Sequence, residues 1–326
     1  MTMRPTLKDV ANLAGVSFTL VSKYLNHDPA ARMSPETKAR IDSALAQLDY
    51  HPSAAARTLR SGRSHTVGMI CGNLTNQYFA HAADCALQEF QRHGYQMLIA
   101  LADPADPAAA LKILTERGVD GIYGFSMPEL TVGKLKSRCP LLLNNTCAKT
   151  YSTLSIDVDV ALDEALNSLD SQHVAGAFVA SNWWADAFQS ACRRTGHTAE
   201  IHHLNLDRKL RKQELAAICR TKPPAIFSNG WETMLALQEI LNAEFPGYRP
   251  RLICHANCRA PFFGDSRISG IIASATTQLI EKSCRMLIKQ INNPEQKNMH
   301  AKLPAQWIPA ASPEYAAFTV RHFQLT

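Results

Sequence analysis

Hydrophobic and polar residues follow two different patterns along this chain, and the pattern changes near residue 65. Before that point, apolar residues recur at three- and four-residue spacing in three short segments, which predicts three short helices. The inner positions are Leu7, Val10, Ala11 and Ala14 in the first segment, Val21 and Leu25 in the second, and Ile41, Leu45 and Leu48 in the third. Because no such short helix can bury its apolar face alone, the three are predicted to share one core.

Polar residues at the segment boundaries predict where these helices begin and end. Thr6, with an acid three residues later, resembles a capping box. Ser17 and Ser34 are predicted caps of the second and third helices, with Pro35 at the first position of the third. Gly15 is predicted to end the first helix and to separate it from the second. A short helix, a glycine-containing turn and a second short helix are typical of a helix-turn-helix unit.

The second helix has a polar and basic outer face. Thr19, Ser22, Lys23 and Asn26 share this face at helical spacing. In a helix-turn-helix unit the second helix enters the major groove of DNA, with its first residues nearest the base edges. This face therefore predicts DNA recognition.

A fourth, shorter helical segment follows and is predicted to be a hinge. Ser53 is a plausible cap, an alanine run follows it, and Gly62 is a natural stop. Helices of about two turns are marginal in water, so we expect this one to form on DNA. Leu59, between Arg57 and Arg60, resembles the apolar wedges that kink DNA from the minor groove.

From residue 66 onwards, short apolar runs alternate with amphipathic stretches, which predicts an α/β body. Alternating strands and helices indicate parallel sheets covered on both faces, and the length favours two doubly wound lobes with a cleft between them. The predicted strands are Val67–Cys71, Gln96–Leu101, Gly121–Phe125, Leu141–Asn144, Ala175–Ala180, Ala225–Ser228, Leu252–His255 and Gly270–Ala273. The predicted helices are Ala80–Arg92, Pro107–Arg117, Val160–Asp170, Leu210–Arg220, Glu232–Glu244 and Thr277–Ile291.

Charge and cysteine usage add two constraints. The net charge is +6, and residues 1–65 hold nine Lys or Arg against five acids, which leaves +4 of it at the amino-terminal end and suits a polyanionic partner. The nine cysteines are scattered, and no apolar signal or membrane-spanning run is present. We therefore predict a cytoplasmic protein with reduced thiols.

Catalytic and metal-binding motifs are weak in this sequence. There is no Gly-x-Ser-x-Gly elbow, no His-Glu-x-x-His and no phosphate loop, so we predict no enzyme activity. Cys254, His255 and Cys258 invite a zinc interpretation, but their spacing is poor for a structural site and buried strand-end cysteines are favoured. No metal or cofactor is predicted.

The amino-terminal motifs resemble those of the LacI/GalR repressor family. The resemblance covers Leu7–Ser17, Val21–Asn26 and Tyr50–Leu59 in order, with a slightly long connection around Asp28–Met33 and Leu20 where the family often has threonine. It implies a homodimer with recognition helices in successive major grooves and paired hinge helices in the minor groove. The DNA-contacting positions that it implies are Thr6, Leu7, Ser17, Phe18, Thr19, Ser22, Lys23, Asn26, Ser34, Thr37, Tyr50, Ser53, Ala56 and Leu59.

For the body, the resemblance implies a periplasmic-binding-protein-like core that senses a small effector. The implied effector contacts are Tyr78, Phe79, Asn144, Trp184, Asn229 and Asn257. The second lobe departs from the family pattern, since Trp183 or Trp184 replaces a usual arginine. Asn229-Gly230 stands where Asn-Asp is usual, and Cys254-His255-Ala256-Asn257 stands where Gly-aromatic-Asp-Asp is usual. Two interpretations stay open: a ligand other than a free sugar, which is slightly favoured, or weak or absent effector sensing.

The domains that follow are a helix-turn-helix domain with hinge helix at 1–62 and an effector-sensing and dimerisation domain at 63–326. The predicted function is a sequence-specific transcription regulator that binds a palindromic operator as a dimer. We expect a repressor of carbohydrate or related catabolic genes, modulated by a sugar, a sugar phosphate or another metabolite. The alternative is a soluble sugar-binding or sugar-modifying protein whose head does not recognise DNA.

Overall fold

The computed structural model describes residues 5–26, 28, 31–51, 58, 61–102, 106–125, 137–146, 150–179, 182–256 and 265–315. Contacts between Cα atoms separate the chain into two compact units, with the boundary between His65 and Thr66. Each unit is described by itself below.

The amino-terminal unit contains the three predicted helices, α1 (Leu7–Ala14), α2 (Phe18–Leu25) and α3 (Pro35–Gln47). They share one core, as the apolar spacing predicted. Its fully or nearly fully buried members are Val10, Ala11, Ala14, Val21, Ile41 and Ala44. Leu7, Val16, Leu25 and Tyr50 are partly buried against it.

The predicted caps of these helices are confirmed. The Thr6 side chain accepts a hydrogen bond from the backbone N–H of Asp9, and the Asp9 carboxylate accepts one from the backbone N–H of Thr6. The Ser17 and Ser34 hydroxyls each accept a bond from the backbone N–H three residues later. Gly15 ends α1 with a φ of 63°, a left-handed conformation that favours glycine.

Only part of the predicted hinge lies among the described residues. Thr58 and Ser61 have helical backbone geometry, and the Gly62 N–H donates to the Thr58 carbonyl at 2.8 Å. Gly62 has a φ of 69°, which suits the predicted helix stop. The hinge positions Ser53, Ala56 and Leu59 lie outside the described residues.

The described residues of the second unit form two six-stranded sheets. Its strands are β1 (Thr66–Cys71), β2 (Gln96–Leu101), β3 (Gly121–Gly124), β4 (Leu141–Asn144), β5 (Ser152–Asp157), β6 (His173–Val179), β7 (Thr198–Leu204), β8 (Ala225–Ser228), β9 (Arg251–Ala256), β10 (Ile268–Ala273), β11 (His300–Pro304) and β12 (Gln306–Pro309). The strand orders are β11-β5-β4-β3-β1-β2 in lobe one and β12-β10-β9-β8-β6-β7 in lobe two. Strand pairs are parallel except for β10 with β12.

Helices connect these strands in the doubly wound manner. They are α4 (Gln77–Arg92), α5 (Pro107–Glu116), α6 (Asp159–Asn167), α7 (Asn182–Thr195), α8 (Arg208–Thr221), α9 (Trp231–Glu244) and α10 (Thr276–Asn292). Both faces of the lobe-one sheet are covered: Met69 of β1 joins the cluster beneath α4 and α10, and its neighbour Ile70 joins the cluster beneath α5. Such two-sided burial is the reason for the continuous apolar runs of these strands.

Over the ranges that the structure describes, the chain passes between the lobes three times. It leaves lobe one after β5, returns between β10 and α10, and crosses again at Ala305, between β11 and β12. Accordingly α10 packs on α4 and β3 in lobe one, whereas α6 packs on α7 in lobe two. Within the described ranges, no helix combines the length and the apolar character that crossing a membrane requires.

Candidate nucleic-acid interface and ligand-binding residues

The outward face of α2 brings together five of the predicted DNA-contacting residues. Phe18 and Thr19 are exposed on the first turn, Ser22 and Lys23 follow one turn later, and Asn26 caps the end. The Asn26 side-chain amide donates to the Ser22 carbonyl. The spacing of these residues places an aromatic ring, hydroxyls, an amide and an ammonium group on one helix surface, opposite the buried Val21.

A polar contact between helices orients this surface. The Tyr24 hydroxyl of α2 donates to the Asp42 carboxylate of α3 at 2.6 Å. Because the neutral phenol donates to a carboxylate, the pKa of Tyr24 is raised to about 12. Lys38 of α3 lies over the same ring, 5.9 Å from its centroid. Contacts with α3 therefore hold the side of α2 that is opposite its outward face. On the outward face, Phe18, Thr19 and Asn26 are exposed to solvent.

The other predicted contact positions in this unit fall into two groups. Thr6, Ser34 and Thr37 lie at the amino-terminal ends of α1 and α3, where the Thr6 and Ser34 hydroxyls cap the helices. Helix amino-termini are suited to phosphate groups because their backbone N–H groups point outward. Leu7 and Tyr50 are instead partly buried against the core of this unit.

In lobe one, the predicted effector residues Tyr78 and Phe79 lie on the first turn of α4, just beyond β1. Both rings pack on Phe125, which follows β3, with centroid distances of 5.0 and 6.2 Å. Asn76 caps this helix by accepting from the Tyr78 backbone N–H at 2.8 Å. The partly buried rings of Tyr78 and Phe79 therefore lie beside Phe125 at the carboxyl ends of β1 and β3. Doubly wound folds bind ligands at this end of their strands.

Asn144, a third predicted effector residue, is fully buried inside lobe one. Its carbonyl oxygen accepts from the Tyr123 hydroxyl, and its amide donates to the Leu154 carbonyl at 2.6 Å and to the Ser283 hydroxyl at 2.8 Å. This network ties β3, β4, β5 and α10 together. The polar atoms of Asn144 are therefore engaged inside lobe one, and its predicted effector contact stays a prediction.

In lobe two, Trp184 packs into an aromatic cluster on the sheet. Its ring centroid is 4.4 Å from that of His255 and 5.7 Å from that of Phe227, and Trp183 lies beside it at 5.1 Å. His255 is buried, and its Nε2 atom is 2.7 Å from the Ser274 hydroxyl. Burial lowers the pKa of His255 to about 4, so its ring is neutral near pH 7.

The two predicted asparagines of lobe two have different outcomes. The Asn229 Oδ1 atom accepts from the Val179 backbone N–H at 3.1 Å, and its Nδ2 atom donates to the Val179 carbonyl at 3.3 Å. Asn229 therefore joins the carboxyl ends of β8 and β6. Asn257 lies outside the described residues, as does Cys258 of the candidate zinc motif, and the described part of the chain holds no cluster of three metal-ligating side chains.

A buried ion pair in lobe two was not predicted from the sequence. The guanidinium of Arg267 contacts Asp265 through Nε at 2.8 Å and through Nη2 at 2.5 Å, and Nη2 also donates to Asn242 at 2.8 Å. Gln238 donates to the same carboxylate. These hydrogen bonds, first among them those from Arg267, lower the pKa of Asp265. An Asp-x-Arg sequence is too common to signal such a network by itself.

Known bacterial regulators are similar to this chain in sequence. Residues 6–53 match the model of bacterial regulatory proteins of the lacI family. The chain is similar to the transcriptional repressor PurR of Mannheimia succiniciproducens, at 28% identity over 183 residues, which are 54% of this chain and 52% of that protein. It is also similar to catabolite control protein A of Staphylococcus xylosus, at 29% identity over 254 residues, 72% of this chain and 76% of that protein.

The chain thus spans about half the length of the PurR relative. Among solved structures, it is similar to the Lac repressor dimer bound to operator and the anti-inducer ONPF. The TM-score is 0.80 at 16% sequence identity, and the superposition covers 94% of this chain and 98% of that one. This likeness extends over both units and concerns the fold.

The structure and the comparisons define a helix-turn-helix protein with a periplasmic-binding-protein-like α/β body, and the predicted fold class is confirmed. Its amino-terminal segment, residues 6–53, matches the lacI family of bacterial regulatory proteins, and the longer alignments show that the chain is similar to repressors of that type.

Proposed function

We propose that this protein is a sequence-specific DNA-binding transcription regulator that acts as a repressor. The observation that carries the proposal is the outward face of α2, where Phe18, Thr19, Ser22, Lys23 and Asn26 stand together on a LacI-type helix-turn-helix domain. Its mixture of hydrogen-bonding, cationic and apolar groups matches what base edges and phosphates offer in the major groove. The proposed role involves binding and no catalysis.

DNA recognition by one head would be weak, so the proposal includes a homodimer that binds a near-palindromic operator. A dimer presents two recognition helices to two half-sites about one helical turn apart. In lobe one, edge strand β2 exposes Leu98, Ile99 and Leu101, with 54% of the Leu101 side-chain area accessible. An edge strand with exposed apolar side chains is prone to association, which supports placing the dimer contact here.

We further propose that the body senses a small metabolite between its lobes. The Cra transcriptional dual regulator of Pseudomonas putida, which this chain resembles in fold, was solved in complex with fructose 1-phosphate, and this supports a small-molecule ligand. The described lobe-two residues near the predicted site are aromatic or neutral: Trp183, Trp184, Asn229 and His255. This composition favours a ligand other than a free sugar held by arginine and aspartate. Effector binding would shift the DNA-bound population by differential affinity for two lobe arrangements, typically worth about 1–3 kcal/mol.

The proposed function is tested by selecting tight-binding duplexes from a randomised library with the full-length protein. Wild-type protein is expected to enrich a near-palindromic sequence and to bind it at least a thousandfold more tightly than a shuffled duplex of equal composition, the lower end for specific regulators, about 10³–10⁷. Affinity for both duplexes should fall as salt rises, because phosphate contacts release counterions. Equal affinity for selected and shuffled duplexes would contradict the proposal.

The dimer proposal predicts that Leu101→Lys converts the protein to a monomer. A lysine on each copy would place like charges in an apolar contact, and an exposed edge lysine also blocks strand pairing. Light scattering of the wild-type chain should give about twice the chain mass of 35.9 kDa, and the variant should give the chain mass. Ile113→Lys, at another exposed apolar position of lobe one, is the control and should remain dimeric. A wild-type monomer would contradict the proposed dimer, and a dimeric Leu101→Lys variant would place the contact elsewhere.

A further inference from the structure

An exposed aromatic side chain begins the recognition helix. Phe18 occupies the first position of α2, and 54% of its area is accessible to solvent. Its neighbours on the same face are polar: Thr19, Ser22 and Lys23. The core of this unit is completed by other residues, with Val21 providing the fully buried side chain of α2. Packing within the head therefore does not account for an aromatic residue at this position.

We propose that Phe18 recognises the 5-methyl group of a thymine in each operator half-site. This inference rests on the proposed function and specifies the base that one residue distinguishes. The first residues of a recognition helix lie nearest the base edges. In the major groove, the thymine methyl is the one apolar group that a base pair offers, and phenylalanine is among the side chains that contact it.

The chemistry of Phe18 excludes the other base edges as its principal target. A phenyl ring has no hydrogen-bond donor or acceptor, so it cannot pair with the acceptors of guanine or the amino groups of adenine and cytosine. Placing it over those groups would remove their water without replacing the hydrogen bonds. When the ring packs against a methyl group, both apolar surfaces are removed from water, which makes the free energy of binding more favourable. Thr19, exposed on the same turn, adds hydrogen-bonding capacity beside the ring.

The test removes the methyl group and nothing else. The probe is the tightest duplex selected by the wild-type protein, in which each thymine is replaced in turn by deoxyuridine in both half-sites. Burial of one methyl group contributes about 0.8 kcal/mol, or about fourfold in affinity. At one symmetric pair of thymines the wild-type affinity should therefore fall about fifteenfold, because two copies lose the contact. Replacements in the flanking sequence should have no effect.

The matched variant is Phe18→Ala, which is expected to bind the thymine and uracil duplexes with nearly equal affinity. The control is Leu13→Ala on α1, which removes a similarly exposed apolar side chain, 50% accessible, outside the face of α2. It should keep the fifteenfold preference for thymine. Thermal unfolding of both variants should match the wild type, because neither side chain belongs to the buried core.

The two possible failures are distinguishable. If no duplex is enriched in the selection, the proposed function fails. Enrichment of a duplex whose half-sites contain no thymine overturns the assignment of Phe18 while the proposed function stands. The same conclusion follows if no uracil replacement changes the affinity for the enriched duplex. A uracil effect that persists unchanged in Phe18→Ala also overturns the assignment, since another residue would then contact the methyl group.

Discussion

Replacing Lys23 by alanine is expected to weaken binding to the selected operator by about thirtyfold or more. Lys23 is the cation on the outward face of α2, one turn after Thr19. Loss of such a contact costs about 1–3 kcal/mol when a base is involved, and a dimer loses it twice. Fluorescence anisotropy with a labelled operator duplex measures the loss directly.

The control for Lys23→Ala separates a specific contact from a general loss of charge. Lys112→Ala removes one positive charge from an exposed side chain of α5, in the other unit, and is expected to leave operator affinity within about twofold. The salt dependence then assigns the contact: a phosphate contact lowers the slope against salt, whereas a base contact relaxes sequence preference. Equal small losses in both variants would remove Lys23 from the interface.

Replacing Asp265 by alanine is expected to destabilise the body by about 3–5 kcal/mol. The change leaves the Arg267 guanidinium, of which 6% of the side-chain area is accessible, as a buried charge without its carboxylate. Removing one partner of a buried pair costs about this much because desolvation of the other charge is no longer compensated. Denaturant unfolding of the full-length chain, followed by fluorescence of the lobe-two tryptophans, measures the change.

Two controls test the physical reason for the loss at Asp265. The double variant Asp265→Ala with Arg267→Met removes both charges and should recover most of the stability. Glu239→Ala breaks the surface pair of Glu239 with Lys212, which is similarly short at 2.6 Å but has side chains 57% and 40% accessible. This change should cost less than about 1 kcal/mol, because solvent screens exposed pairs. Equal costs for the buried and the surface pair would contradict the argument.

The pH dependence of the Asp265 effect has a definite sign. Arg267 holds the pKa of Asp265 below its ordinary value, so the folded state favours the ionised carboxylate. The corresponding stability is fully present above the pKa in the unfolded chain, about 3.9, and is lost as the pH falls through the lower value of the folded state. The difference between wild type and Asp265→Ala should be constant from pH 5 to pH 8 and shrink in stronger acid.

Helix boundaries in the head could be predicted from the sequence because they depend on neighbours within four residues. Thr6 with Asp9, Ser17 with Leu20, and Gly15 form their caps through local hydrogen bonds or local backbone geometry. The apolar spacing also gave the shared core. For the same reason, the buried central strands of the body other than β5 were predicted from their apolar runs.

Strands with a different environment were not predicted. Three of them, β7, β11 and β12, lie at sheet edges, where exposed positions carry residues such as His203 and Lys302. The fourth, β5, begins with serine and threonine. Without a continuous apolar run they resemble loops. Their strand character comes from neighbours that pair with them, as Thr153 of β5 does with His300 of β11.

By itself, the sequence determined the helix-turn-helix head, the outward face of α2 and the alternating α/β body, because each depends on the local order of apolar and polar residues. Only the tertiary structure decided the roles of polar residues whose partners are far away in the chain. Asn144 meets Ser283, 139 residues later, and Asn229 meets Val179, 50 residues earlier. These hydrogen bonds hold strands and a helix together, because an amide that is buried or partly buried must satisfy its polar groups wherever the fold places it. The effector contact of each asparagine stays a prediction.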